Sequence, residues 1–184
     1  LPPHKHSMSV PKTTSIWALI ALALLVVSCA LYWPALDHEL VYFDDSRYVI
    51  ENRQVHAGIQ PSTIRWAFTT DRMGTWHPLT WISHAGDWEL YGSEARGHLS
   101  SNLALHALNV LLLFAVLARM TGSVWASAFV ALVFAVHPLN VATAAWVASR
   151  KGLLSTTFMF LSLGAYLRYT RAPSAWRYAL VLLA

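Results

Sequence analysis

The sequence predicts an all-α integral membrane protein with four transmembrane helices, the start of a fifth, and an outer loop holding short amphipathic interfacial helices. Composition is the first sign. Hydrophobic residues make up 56% of the 184, charged residues only 12%, and mean hydropathy is +0.44, which describes a chain solvated largely by lipid. Length of the apolar runs is the second, because about 20 helical residues at 1.5 Å rise cover the ~30 Å hydrocarbon core. The third is charge segregation. All nine acids fall between Asp37 and Glu94; residues 37–96 carry them beside five arginines, and the rest of the chain carries eight basic residues and no acid. That asymmetry follows topology and calls for no nucleic-acid partner. Cys29, the single cysteine, has no partner with which to form a disulfide.

Residues 1–14, with Pro2, Pro3, Pro11, Lys5 and Lys12, read as a cytoplasmic tail by the positive-inside rule. The first span is 15–36, with Trp17 near one end and Tyr32-Trp33 near the other as an aromatic belt, and Pro34 where the helix yields. A signal peptide would have a shorter apolar region and a small-residue cleavage site, so this run is an uncleaved anchor.

Residues 37–96 form the extracytoplasmic loop. Within it, 61–70 opens with Pro61 at the first helical position, and 78–91 opens with Pro78 and stops at Gly92. Along 78–91, Leu79, Trp81, Ile82, Ala85, Trp88 and Leu90 group on one side, and Thr80, Ser83, His84, Asp87 and Tyr91 on the other. This predicts a helix lying flat on the outer interface, anchored by Trp76, Trp81 and Trp88, with its polar side toward water or a partner.

The second span, 97–119, ends at a polar turn, Met120–Ser123, and the third follows over 124–137. An outer loop over 138–151 leads to a fourth span, 152–170, which returns to Arg168 and Arg171. A fifth helix begins near Trp176 and has run only to Ala184, so the chain is expected to be a portion or a shortened form of something longer. The location expected from this pattern is a bacterial-type inner membrane, multi-pass, with the amino terminus cytoplasmic.

Three groups of residues stand out. Arg150-Lys151 is the one basic cluster that this topology puts outside, beside His137 and next to the acidic loop. It reads either as an anion site for a lipid-linked phosphate or head group, or as ion pairs with Asp44 or Asp45. On the second span, His98, Asn102, His106 and Asn109 recur at spacings of four, four and three, so one face of a membrane helix is polar. Such a face looks into a bundle or another protein, as interhelical hydrogen bonding or, more sharply, as a haem or pigment contact or a proton path. Third, Asp44 and Asp45 lie just after the first span and could act as a general base or hold a divalent metal, with Asp87, His77 and His84 as further donors.

Four ordered motifs carry a resemblance: Phe43-Asp-Asp-Ser-Arg-Tyr-Val49, Thr75-Trp-His-Pro-Leu-Thr-Trp-Ile-Ser-His84, His137-Pro-Leu-Asn140, and Trp146-Val-Ala-Ser-Arg-Lys-Gly-Leu-Leu-Ser155. Together they resemble the amino-terminal membrane part of the tetratricopeptide-repeat-linked O-mannosyltransferase-like proteins, multi-spanning glycosyltransferases that use polyprenyl-phosphate sugars. The resemblance implies a catalytic base or metal contact at Asp44 and Asp45 and a donor phosphate at Arg150 and Lys151. The chain departs from the family pattern at Asn140, Ala142, Ser149 and Gly152, where the family carries a histidine and three acids.

Two readings follow. In the one the departures favour, the chain is a non-catalytic, transferase-derived subunit that stabilises a larger photosynthetic or respiratory membrane complex, with lipids and other membrane subunits as partners. In the other it is a membrane fragment of an active transferase using a polyprenyl-phosphate sugar. The residues name no cofactor; a divalent metal belongs to the enzyme reading only.

Overall fold

The computed structural model describes residues 12–183, all helices and connections with no strand among them. The expected tail thus lies almost wholly outside the described residues. Helix α1 (Lys12–Tyr32) passes through a 3-10 turn at Trp33–Asp37, where Pro34 fits because the first turn of a helix needs no amide donor. Two short pieces follow: a π-helical turn, Ser46–Ile50, and α2 (Arg53–His56), whose Asn52 cap accepts from the Gln54 amide at 3.2 Å. Proline also starts α3 (Pro61–Thr69) and α4 (Pro78–Tyr91).

The long helix α5 (Ala95–Thr121) ends at Gly122, whose φ of +71° is the left-handed conformation that closes a helix at little cost for glycine. Helix α6 (Val124–Val136) then runs back along α5, and beyond His137-Pro138 the chain bends by 51° into a segment that includes α7 (Val141–Ala144). Helix α8 (Arg150–Arg171) and α9 (Ala175–Leu183) are the last of the described elements.

Two stretches are long and apolar enough to cross a membrane, Ser15–Asp37 with mean hydropathy 2.3 and Ala95–Thr121 with 2.0; the bent pair Val124–Val136 and Pro138–Ala144 makes up to three. The protein is therefore a helical membrane protein with two or three candidate spans. Helix α8 does not join that set, although it is 22 residues long. Ser155, Thr156, Thr157 and Ser162 interrupt its apolar character, and Arg150, Lys151, Arg168 and Arg171 load its ends with charge.

Helix α5 is the hub, packed against α1, α4, α6 and α8. Its lower half joins α1 and α6 through Leu24, Val110, Phe114, Ala131 and Ala135. Its upper half meets the 37–96 segment in a second cluster around Tyr48, Val55, Trp81, Leu99, Leu103 and Val147. At the corner between α4 and α5, a Cβ on Gly97 would overlap the Tyr91 ring, so only glycine permits that approach.

One expectation is reversed here. Thr80, His84 and Asp87, the side of α4 expected to meet water, are buried, whereas Leu79 and Leu90 are exposed. Trp81 is likewise no interfacial anchor: it is 0% exposed and stacks on Tyr48 with ring centroids 4.8 Å apart. A face of mixed polarity goes inward when the interior offers it a charge, and here that charge is Arg150.

Candidate functional site

The acidic motif sits where the 37–52 stretch meets the entry to α8. Asp45 is 1% exposed and accepts two backbone hydrogen bonds, from the Val41 amide at 2.9 Å and from the Ala148 amide at 2.8 Å. Its second bond joins residues 103 positions apart in sequence. Burial raises the Asp45 pKa, and these two amides pull it back down. Both oxygens are thus committed to holding the loop. Asp44 beside it is half-buried and makes no hydrogen bond or ion pair among the described residues.

Arg150 opens α8 and is fully buried. Its Nε donates to Asn102 Oδ1 at 2.8 Å, Nη2 to the His98 carbonyl at 2.8 Å, and Nη1 to Ser83 Oγ at 3.1 Å and the Ser83 carbonyl at 3.4 Å. Nη1 also lies 2.5 Å from Asp87 Oδ2 as an ion pair, and Asp87 Oδ1 accepts from Ser101 Oγ at 2.8 Å. A guanidinium stripped of water needs this many acceptors, because its fork of five N–H donors cannot shed the charge. Arg150 is therefore not an open site for a lipid phosphate, and its carboxylate is Asp87, not Asp44 or Asp45.

The other two members of the expected anion site stand apart. Lys151 is exposed, with Nζ 3.3 Å from the Tyr48 hydroxyl and 5.6 Å above the Tyr48 ring. His137 is exposed and accepts from the Leu139 amide at Nδ1, 3.2 Å away; no hydrogen bond joins it to Arg150 or Lys151 among the described residues.

The polar stripe of α5 is wholly enclosed: His98, Asn102, His106 and Asn109 are each at most 1% exposed. His98 Nε2 lies 2.9 Å from the Gly92 carbonyl and His106 Nε2 3.2 Å from the Ala135 carbonyl. Asn102 Nδ2 donates to the Trp146 carbonyl at 2.9 Å. Asn109 Nδ2 donates to the Leu153 carbonyl at 2.9 Å, and its Oδ1 accepts from Thr157 at 2.7 Å. The stripe thus supplies acceptors and donors to the bend before α8 and to its first turns. Of the remaining tryptophans, Trp76 is exposed and donates to the Phe68 carbonyl, and Trp88 stacks on His56 at 3.7 Å. Among the described residues no three His, Cys, Asp or Glu side chains are grouped to hold a metal.

Sequence reasoning missed Ser83 and Asp87 as partners of Arg150, and Ser101 as a partner of Asp87. Ser83 and Asp87 are four apart on α4, and His98 and Asn102 are four apart on α5, so each helix offers one polar ladder to the same guanidinium.

His84 lies within this network with neither ring nitrogen hydrogen-bonded among the described residues. Burial, and then the nearby Arg150, hold its pKa well below the usual value, so it is neutral in the fold. The unfolded chain takes up a proton at His84 near pH 6.5 and the folded chain does not, so stability falls as pH drops below that value, by about 1.4 kcal/mol per pH unit. His77, lowered by burial and by Lys151, has the same sign; Asp45, raised, has the opposite sign at lower pH. Unfolding midpoints measured from pH 7 to pH 5 should decline in the wild type and decline less steeply in His84→Leu. Equal slopes would show that His84 is not the titrating group.

The chain is 30% identical over 161 residues to the protein O-mannosyl-transferase TMTC3 of Mus musculus, and 30% identical over 157 residues to that of Homo sapiens. It is also 30% identical over 159 residues to the protein O-mannosyl-transferase Tmtc2 of Drosophila melanogaster. The chain is a relative of the TMTC O-mannosyl-transferases. These matches take in 79–80% of this chain, which spans only 16% of the length of each TMTC relative. No family model and no solved structure matches it.

Proposed function

We propose that this chain is part of a membrane glycosyltransferase that moves a sugar from a polyprenyl phosphate to a hydroxyl on the outer face of the membrane. The observation that carries the reading is the division of labour in the acidic motif. Asp45 is consumed by two backbone amides, and Asp44, fixed beside it, keeps an uncommitted carboxylate. In this reading Asp44 takes the proton of the acceptor hydroxyl as its oxygen bonds to the sugar's anomeric carbon, and the bond from that carbon to the phosphate oxygen breaks. Asp45 is a positioning residue. Lys151, exposed in the first turn of α8 and in no ion pair among the described residues, is the cation available to the departing phosphate.

The names of the TMTC relatives support the transferase reading over that of a complex-stabilising subunit. The segregated charges support a cytoplasmic amino terminus, with 37–96 and 138–151 outside. Helix α8, packed along α5, then crosses as a fourth span despite its diluted hydropathy, and α9 begins a fifth.

The test uses the full-length protein in sealed vesicles, a radiolabelled polyprenyl-phosphate mannose and a membrane-impermeant peptide rich in Ser and Thr. Transfer is expected when the peptide has access to the outer face only. Transfer confined to inverted vesicles would overturn the topology, and a stoichiometric membrane complex without any transfer would return the chain to the subunit reading.

A further inference from the structure

At the opposite end of α5 lies a groove of about 880 Å³ between α5, α8 and α9. Its floor is apolar, with Leu112 and Val116 from α5, Phe160 from α8 and Leu180 from α9. Four arginines line it as well: Arg119, Arg168, Arg171 and Arg177. From His98 to Arg119 the axis of α5 runs about 30 Å, so this groove is remote from the acidic motif.

The arginines are only lightly engaged within the protein. Arg119 donates to the Ala115 carbonyl at 3.1 Å, Arg171 to the Arg119 carbonyl at 2.7 Å and Arg177 to the Ala172 carbonyl at 2.6 Å, while Arg168 has no partner among the described residues. These bonds cap the carboxyl ends of two helices and leave most of the N–H donors unused. No carboxylate side chain is at hand, because residues 95–184 contain no Asp or Glu.

Aromatic side chains mark the depth of this end. Trp17 lies 5.7 Å from the Arg119 guanidinium, Trp176 is 69% exposed, and Tyr169 and Tyr178 meet with ring centroids 5.6 Å apart. Rings of this kind gather at the head-group level of a bilayer, which puts the arginines at phosphate depth with the apolar floor beneath them.

We propose that this groove binds an anionic phospholipid, its phosphate among Arg119, Arg168, Arg171 and Arg177 and an acyl chain along the floor. The volume lies within the range of small-molecule sites. Four positive charges without a counter-charge favour an anionic head group over a zwitterionic one. The inference does not rest on the transferase reading, since it uses neither Asp44 nor Asp45.

The full-length protein, purified in mild detergent, would be titrated with phosphatidylglycerol and with phosphatidylcholine of the same acyl chains, and retained lipid counted by native mass spectrometry. Phosphatidylglycerol should be retained preferentially. Affinity should fall about fivefold in Arg168→Gln and about 25-fold when Arg119→Gln is added, whereas Arg168→Lys should keep most of it. Arg168 is exposed and unpartnered among the described residues, so its substitution leaves folding aside. Equal retention of both lipids, or unchanged affinity in the glutamine variants, would overturn the proposal. A cysteine introduced by Gly164→Cys fits the groove, its Cβ 3.8 Å from Val116. If that cysteine cross-links to another protein segment and no anionic lipid is retained, the groove is a helix-docking surface instead.

Discussion

Replacing Arg150 with Leu should destabilise the protein by about 3–5 kcal/mol, enough to unfold many domains of this size. The loss comes from what is left behind. Asp87 would remain buried with its ion-pair partner gone, and Asn102 Oδ1, Ser83 Oγ and the His98 carbonyl would each lose a donor in a site closed to water. The shape of the guanidinium matters less than its charge. A double variant, Arg150→Leu with Asp87→Leu, should therefore recover much of the loss, because removing both members of a buried pair is often close to neutral. Thermal unfolding in detergent, followed by circular dichroism, measures both. A single variant within about 1 kcal/mol of wild type would mean that the network is held by something other than Arg150. A double variant no better than the single would put the cost in packing instead of unpaired charge.

The adjacent acids should part company when changed one at a time. Asp44→Asn should lower sugar transfer by about 10²–10⁴-fold while leaving the unfolding midpoint unchanged, as expected of a general base with no structural bonds. Asp45→Asn should do the reverse in kind. One of its two amide acceptors becomes an NH2 group facing another N–H, which costs about 1–3 kcal/mol and frees the loop from Ala148. Transfer would drop with it, but through misplacement of Asp44, so lowering the temperature should restore part of the rate in Asp45→Asn and none in Asp44→Asn. Full transfer by Asp44→Asn would remove that residue from the mechanism. A dead but fully stable Asp45→Asn would exchange the two roles.

These contrasts show where local sequence is informative and where it is not. The helices themselves are written locally. Pro61 and Pro78 open α3 and α4, Gly122 closes α5, and α1 and α5 are long and apolar enough to cross a bilayer. The four-residue spacing of His98, Asn102 and His106 also reveals a polar helix face from sequence alone, since helical periodicity needs no tertiary information.

The identity of what meets that face was decided only by the fold. Arg150 pairs with Asp87, 63 positions earlier, and bonds to Asn102, 48 positions earlier, and no local rule ranks those partners above the nearer-looking Asp44 and Asp45. The orientation of α4 went the same way. Sequence spacing assigns its Thr80, His84 and Asp87 to water, although Trp81 and Ala85 share the buried face with them. A buried guanidinium reverses that assignment, because leaving its charge unpaired inside the protein costs more than exposing Leu79 and Leu90, all the more beside lipid. Sequence by itself determined where the helices run and that one of them has a polar face; tertiary structure decided which charges meet, since that depends on desolvation at a point where three distant helices converge.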